Sequence, residues 1–390
     1  MTGAVARRDV GRFLLVSGDF VKTGGMDRAN YALAAYLADR GDEVQLVAYR
    51  AAADLLGRPG VTLHRVPKPL NSYLLGESLL RRAGRRRAAR VARGGGRVVV
   101  NGGNCDWGDA NWVHYVHAEW APRTEGGPAR RLKAGVARRL ALAHERAALR
   151  RARVVIANSE RTRAALVDTL GLPPGRVHTI YYGTDPALFR PREAAGRAAA
   201  RARLGWADDR PAVAFIGAMG DLRKGFDTLF AAWRELARDP GWDARLAVIG
   251  AGASVPAWKA RAEAAGLRGS IEFLGFRADV PEVLGACAAL VSPTRYEAYG
   301  LNVQEALCCG LPAIVSAAAG VAERYPAALS DLLLPDPEDA ADLAARLRRW
   351  REGEASGQPR PELASFSAAL RDYTWDHMAG RIARTIEGAA

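Results

Sequence analysis

Cysteine is scarce in this chain: four in 390 residues, Cys105, Cys287, Cys308 and Cys309. None of their spacings suits a zinc site, and the adjacent pair is badly placed for a mutual disulfide. A disulfide scaffold is excluded, and small core residues of a reducing compartment are expected instead. Long apolar runs are also missing, since nothing approaches the roughly 18 residues of a membrane-spanning helix. Arg7 and Arg8 precede an apolar core of only Phe13 to Val16. That is too short for a signal peptide and reads as a first strand, which predicts a cytoplasmic protein. The dinucleotide fingerprint G-x-G-x-x-G and the phosphate loop G-x-x-x-x-G-K-[ST] are absent. Gly250-Ala251-Gly252 is a lone G-x-G, better read as a tight turn. No two aspartates stand two apart, so a D-x-D metal triplet is missing and no metal site is expected.

What is present is basic and unevenly spread. The net charge is +14. Residues 1–195 hold 33 Lys and Arg against 17 Asp and Glu, whereas the remainder holds 23 against 25. Much of the excess lies in Arg81–Arg97 and Arg130–Arg153. Such runs face nucleic acid, an anionic membrane or an acidic acceptor, or they are simply the solvated faces of Arg/Ala-rich helices. They lack interleaved aromatics, and neither helix-turn-helix nor zinc spacing accompanies them, so nucleic acid is not expected.

Length and composition predict two domains. Arg12–Ser17 reads as a buried strand, Met26–Gly41 as a helix and Val44–Ala48 as the next strand, with Gly24-Gly25 between the first two. Those glycines allow close backbone approach to an anion, or a plain strand-to-helix turn. Val98–Asn101 and Trp112–Val116 read as strands. In the latter, His114 and His117 point to opposite faces and make poor co-ligands, while His117 falls at a strand end, where open α/β sheets place ligand-contacting groups. Trp107, Trp112 and Trp120 either stack on an acceptor or pack. Ala129–Arg153 reads as a long basic helix with Leu132, Val136 and Leu140 repeating at four, a pattern that suits either an anionic lipid surface or core packing. Asn158-Ser159-Glu160 looks like a helix cap. An Arg/Ala-rich linker near residue 190 divides the chain into 1–190 and 191–371, with a terminal helix over 372–390. Strands and helices alternate again in the second part, from Ala212–Ile216 through Leu246–Gly250, Ile271–Leu274 and Leu290–Ser292 to Ala313–Ser316. The expected fold is therefore α/β, two doubly wound Rossmann-like domains facing across a cleft.

The most informative stretch is Val291–Tyr325, VSPTRYEAYGLNVQEALCCGLPAIVSAAAGVAERY. Glu297 and Glu305 flank Gly300, where the pattern turns helical. A helix starting there aims free N–H groups and its positive end at an anion, while carboxylates on either side take polyol hydroxyls. At the end of Ala212–Ile216, Gly217 to Gly225 carries Arg223-Lys224, a basic pair suited to a pyrophosphate.

These residues resemble the E-x7-E signature of retaining glycosyltransferases of family 4, which have the GT-B fold. The resemblance implies a nucleotide-diphosphate sugar as donor (UDP-, GDP- or ADP-linked), no cofactor and no metal. It implies a glycan, lipid-linked or small-molecule acceptor. The basic first domain, for its part, makes an anionic membrane surface a candidate partner, with peripheral placement on the inner leaflet. As catalytic residues the resemblance places Glu297 and His117 on the donor sugar and Lys224 at the donor phosphates. It places Gly24, Gly25, Arg223, Lys224, Phe276, Arg277, Glu297, Tyr299, Gly300, Leu301, Asn302 and Glu305 around the donor, with Glu305 on the ribose. Ala218 stands where the family usually has an arginine, and Arg223 could substitute from another direction. Tyr182-Gly183-Thr184-Asp185 resembles the family's interdomain N-G-V-D turn, with Tyr182 in place of asparagine. In the resembling fold the chain's end crosses back onto the first domain. Other readings of the same architecture are a sugar-nucleotide epimerase and a glycogen-type phosphorylase, for which no pyridoxal-phosphate lysine is identifiable. A basic nucleic-acid-binding protein is the non-enzyme reading.

Overall fold

The computed structural model describes residues 10–121, 128–220, 222–357 and 359–389. Arg7, Arg8 and Asp221 lie outside them. The first sheet contains β1 (Arg12–Val16), β2 (Glu43–Ala48), β3 (Val61–Arg65), β4 (Arg97–Asn101), β5 (Ala110–Val113), β6 (Val154–Ala157) and β7 (Val177–Thr179). All its pairings are parallel, in the order β3-β2-β1-β4-β5-β6-β7. The second contains β8 (Ala212–Ile216), β9 (Arg245–Ile249), β10 (Ile271–Gly275), β11 (Ala289–Ser292), β12 (Ala313–Ser316) and β13 (Leu333–Leu334), in the order β10-β9-β8-β11-β12-β13, again parallel. Both orders reverse beside the first strand, so each sheet is doubly wound with its switch point at β1 or β8.

Strands buried on both faces explain the sequence. β1 (RFLLV) and β8 (AVAFI) are near-continuous apolar runs rather than alternating ones, as a parallel sheet covered by helices requires. The helices in front of the site are α1 (Gly25–Asp39), α2 (Tyr73–Arg93) and α3 (Pro128–Arg151) in the first domain. Its α4 (Glu160–Ala164) is capped by Ser159, whose Oγ accepts from Thr162 N at 2.9 Å. The stretch read as an Arg/Ala-rich linker contains a helix, α5 (Ala194–Arg203). Its arginines are not solvated only: Arg203 pairs with Glu282, and Arg201 reaches the carbonyl of Arg210 at 3.0 Å. The second domain adds α6 (Phe226–Leu236), α7 (Leu301–Cys308), α8 (Ala340–Ser356) and the last helix, α9 (Trp375–Gly388).

The strand expected over Trp112–Val116 stops at Val113. The chain leaves the sheet because Val116 N is drawn to Tyr296 Oη of the other domain, at 3.0 Å.

The domains are joined by a buried hinge. Gly183 packs so tightly on the backbone of Thr374 that a Cβ there would lie 2.3 Å from its carbonyl oxygen. Thr184 N donates to Tyr373 O and Trp375 N donates to Thr184 O, a short parallel bridge that starts α9. α9 then lies against α1, burying Met378, Ile382 and Ile386, and Glu387 pairs with Arg40. All four cysteines are buried and free. No described helix is long and apolar enough to cross a membrane.

Candidate active site

Parallel sheets present their ligand-contacting groups beyond the carboxyl ends of the strands. Here the two sheets turn those ends toward each other. β1 leads toward α1 and β11 toward α7, and each helix begins at a glycine of positive φ: Gly24 at 80° and Gly300 at 110°. The two N-termini meet across the cleft, since a Cβ on Gly25 would touch Leu301 at 3.7 Å. Two sets of unpaired N–H groups and two positive dipole ends thus converge from different domains.

The carboxylates flank this point. Glu305 lies one turn into α7, 5% exposed, and pairs with the Arg28 guanidinium of α1. Arg28 sits over the rings of Phe189 and Trp375 at 5.6 and 5.7 Å. Burial pulls its pKa down to about 10, Asp185 opposing, so it remains charged at neutral pH.

Glu297 occupies the loop after β11. Its Oε2 receives Lys224 Nζ and Arg223 Nη1, the latter at 3.3 Å, and Arg223 also donates to Tyr296 O at 3.0 Å. Burial alone would push the Glu297 carboxyl up, but Lys224 and then Arg223 outweigh it and hold it below the ordinary range. The turn presenting Lys224 depends on Gly225, at φ 69°, where a Cβ would lie 1.8 Å from Pro293 O.

From the first domain, Tyr115 and His117 reach toward the same loop. Tyr115 stacks edge-on against Tyr296 at 5.1 Å and against His117 at 5.0 Å, and Arg223 lies over its ring at 5.9 Å. His117 is held by Glu145, a fully buried carboxylate of α3. Oε1 takes His117 N at 3.1 Å and faces Nδ1 at 3.0 Å. That leaves Nε2 of the part-exposed ring for the cleft. His114, by contrast, turns inward to Tyr182 Oη, and burial lowers its pKa to about 3, so it stays neutral. The two histidines point apart, although neither lies in β5, which ends at Val113. Among the described residues no group of three or more His, Cys, Asp or Glu side chains could hold a metal ion.

The other residues expected at the donor fall into distinct places. Asn302 donates to Ile216 O at 3.1 Å, tying α7 to the end of β8. Tyr299 is 1% exposed, with its hydroxyl engaged by Gln304 and Arg324, so its side chain belongs to the hinge. Gln304 continues that chain to Gly183 O at 3.0 Å. Phe276 stands 69% exposed, and Arg277 is bound to Asp279 by two bonds of 2.8 and 2.6 Å. Neither is tied to the carboxylates. Ala218 lines a small cavity with Lys224, while Arg28 and Arg223 sit on the two carboxylates. Sequence reading did not single out Arg28 or Glu145, and neither carries a local signature: each looks like an ordinary charge on an amphipathic helix. Ser159, read as a cap, does more, since its Oγ also donates across the domains to Ala298 O at 2.7 Å.

Residues 23–188 match the profile described as Glycosyltransferase Family 4, and residues 210–352 that described as Glycosyl transferases group 1. D-inositol 3-phosphate glycosyltransferases of Frankia alni and Kineococcus radiotolerans are each 31% identical, over 217 and 251 residues. Those alignments cover 52% and 60% of this chain and 53% of each relative, so the chain spans about half the length of the relatives it matches. Among solved structures, the fold is similar to WaaG, described as a glycosyltransferase involved in lipopolysaccharide biosynthesis. The TM-score is 0.74 at 20% identity, covering 97% of this chain and all of that one. Sucrose-phosphate synthase from Thermosynechococcus elongatus gives 0.75 at 22% identity and the same coverage. Anabaena Alr3699/HepE, solved with UDP-glucose, gives 0.67 at 18% identity, covering 97% of this chain and 99% of that one.

Proposed function

The chain belongs to glycosyltransferase family 4 and has the GT-B fold, and from that premise we propose that it moves a sugar from a nucleotide-diphosphate sugar to an acceptor hydroxyl, with retention and without a metal. The observation that carries this is the meeting of two helix N-termini, at Gly25 and Leu301, between a Glu305–Arg28 pair and a Glu297–Lys224–Arg223 cluster. Backbone donors and cations suit the diphosphate, and the buried carboxylates suit the ribose and sugar hydroxyls.

In this reading the acceptor oxygen forms its bond to the anomeric carbon as the bond to the diphosphate oxygen breaks. The acceptor proton passes to the departing diphosphate on the same face of the sugar. The negative charge that grows on the leaving group is met by Lys224, Arg223 and the dipole end of α7, already in place before reaction. Glu297 holds Lys224 and Arg223 in register and contacts the sugar, and Glu145 fixes His117 with Nε2 toward it. No protein nucleophile is required. The family profiles and relatives are glycosyltransferases, so neither an epimerase nor a nucleic-acid-binding protein gains support.

The test is to incubate the protein with labelled UDP-, GDP- and ADP-sugars, with and without lipid or glycan extract. Label moving to an acceptor of the extract with the anomeric configuration kept is the expected result. Conversion of the sugar nucleotide without any acceptor would favour the epimerase, and no turnover of any donor would reject the reading.

A further inference from the structure

Eleven large apolar side chains stand exposed among the described residues, and six belong to one corner of the first domain. Leu70, Leu75 and Leu79 are 92%, 46% and 37% exposed on the turn before α2 and on its first turns. Leu132, Val136 and Leu140 are 71%, 48% and 43% exposed along the first half of α3. They spread over two helices that are linked at two points. His144 of α3 meets Glu77 of α2 at 2.9 Å, and seven residues further on Arg151 shares Asp106 with Arg81. Leu140 is therefore one turn ahead of the His144 contact, and Leu75 just ahead of Glu77. The six apolar residues gather at the N-terminal ends of both helices.

Leu70 carries a second signal. It is the only non-glycine described with positive φ, at 51°. A leucine in that region is strained, and here no burial compensates, since the side chain points wholly into water. Backbone strain spent on exposing a leucine is understandable when the leucine has somewhere to go.

The charge around these residues is strongly positive. α2 contains seven arginines and one glutamate; α3 contains seven arginines, one lysine and one glutamate. A 590 Å³ cleft between the helices is lined by Arg81, Arg82, Arg85, Arg86, Trp107 and His144. Apolar tips standing among guanidiniums match an anionic bilayer, where aliphatic chains enter the acyl boundary and arginines meet lipid phosphates. They do not match nucleic acid, which would leave the leucines in water. In a parallel sheet the helices start at the carboxyl edge of the strands, so this corner borders the edge that carries Gly24, Gly25 and His117.

We infer that the N-terminal ends of α2 and α3, with Leu70 as the protruding tip, dock the protein on an anionic lipid surface. This inference stands apart from the glycosyl-transfer reading. A protein that transfers sugar to a soluble acceptor without binding vesicles would defeat only the docking surface, and one that binds vesicles without turnover only the activity.

The test is flotation of the full chain with phosphatidylcholine vesicles, with and without phosphatidylglycerol, at low and high salt. Partition onto the phosphatidylglycerol vesicles is expected, weakening with salt. Leu70→Gly should weaken partition roughly tenfold while melting at or above the parent's temperature, because glycine removes the strain. Leu132→Ser/Val136→Ser/Leu140→Ser should weaken it further without unfolding the protein. Arg82→Gln and Arg86→Gln should each weaken it roughly fivefold. No partition of the parent onto phosphatidylglycerol vesicles would overturn the inference, as would parent-like partition of both apolar variants. Retention on duplex DNA, or a concentration-dependent dimer, in a chain that ignores the vesicles would overturn it in favour of another occupant.

Discussion

Arg28 and Glu305 are 277 residues apart and join the two domains through one ion pair between α1 and α7. The arginine is caged by Phe189 and Trp375, and its Nε has no partner among the described residues. Only one Glu305 oxygen, Oε1, takes the guanidinium. The pair couples the position of a donor-site carboxylate to the packing of the first domain. Arg28→Ala leaves a buried carboxylate alone, which costs about 3 kcal/mol. The expected outcome is a lower melting temperature together with weaker nucleotide binding, partly restored by Arg28→Lys. A double change, Arg28→Ala with Glu305→Ala, should cost less than the sum of the singles, as a thermal double-mutant cycle will read.

Lys224 is the compact cation on Glu297, and both lie where a leaving diphosphate would be met. Lys224→Ala should lower kcat by about 10²–10³ and lower Tm modestly, since the largely buried lysine is lost and Arg223 alone then holds the Glu297 carboxylate. Glu297→Gln should impair turnover while leaving nucleotide affinity within several-fold. Parent-like kcat for both would remove this cluster from the reaction.

Asp27 lies in the first turn of α1 and is pushed up to about 6 by burial, with Asp19 adding repulsion. An acid raised from 3.8 to about 6 makes the fold lose stability as pH climbs through that interval. For a bound anion, the ionised carboxylate is repulsive and the neutral one is not. Affinity for a sugar nucleotide, whose phosphate diesters do not titrate here, should therefore fall several-fold as pH rises through about 6. Calorimetric titration at several pH values checks this, and Asp27→Asn should flatten the profile.

Gly183 has no room for a side chain, with Thr374 O at 2.3 Å from a would-be Cβ. Gly183→Ala should therefore pry the Tyr373–Trp375 strap from the hinge, releasing α9 from α1. Limited proteolysis should then cut near residue 372 in the variant and not in the parent, and turnover should fall although no donor-site residue is changed.

Much of this was legible in advance where the signal is local. Apolar runs at β1, β6, β8 and β12, each followed by a glycine loop or a cap, declare a parallel sheet, and Ser159 declares its helix start. The E-x7-E stretch named its family from one contiguous segment. What was illegible is what depends on contacts distant in sequence. Glu145 sits in an arginine-rich helix and looks solvated, yet it is fully buried under His117. Arg28 shows its role only when α7 is brought against it. Tyr299 lies within the motif, and only the fold shows its side chain turned into the hinge. Leu132, Val136 and Leu140 repeat at helical spacing, which is the same for a core stripe and for an exposed one.

The central claim is that a nucleotide-diphosphate sugar binds between the two domains on Glu305 and Lys224. A thermal-shift titration with UDP, GDP, ADP and their sugars, run on the parent, Glu305→Ala and Lys224→Ala, tests it most directly. At a hundredfold excess over Kd, a bound ligand stabilises the folded state by about 2.7 kcal/mol. The account predicts that one base raises the parent's melting temperature by a few degrees and that both substitutions abolish the shift. No shift with any nucleotide, or a shift that survives both substitutions, would contradict it.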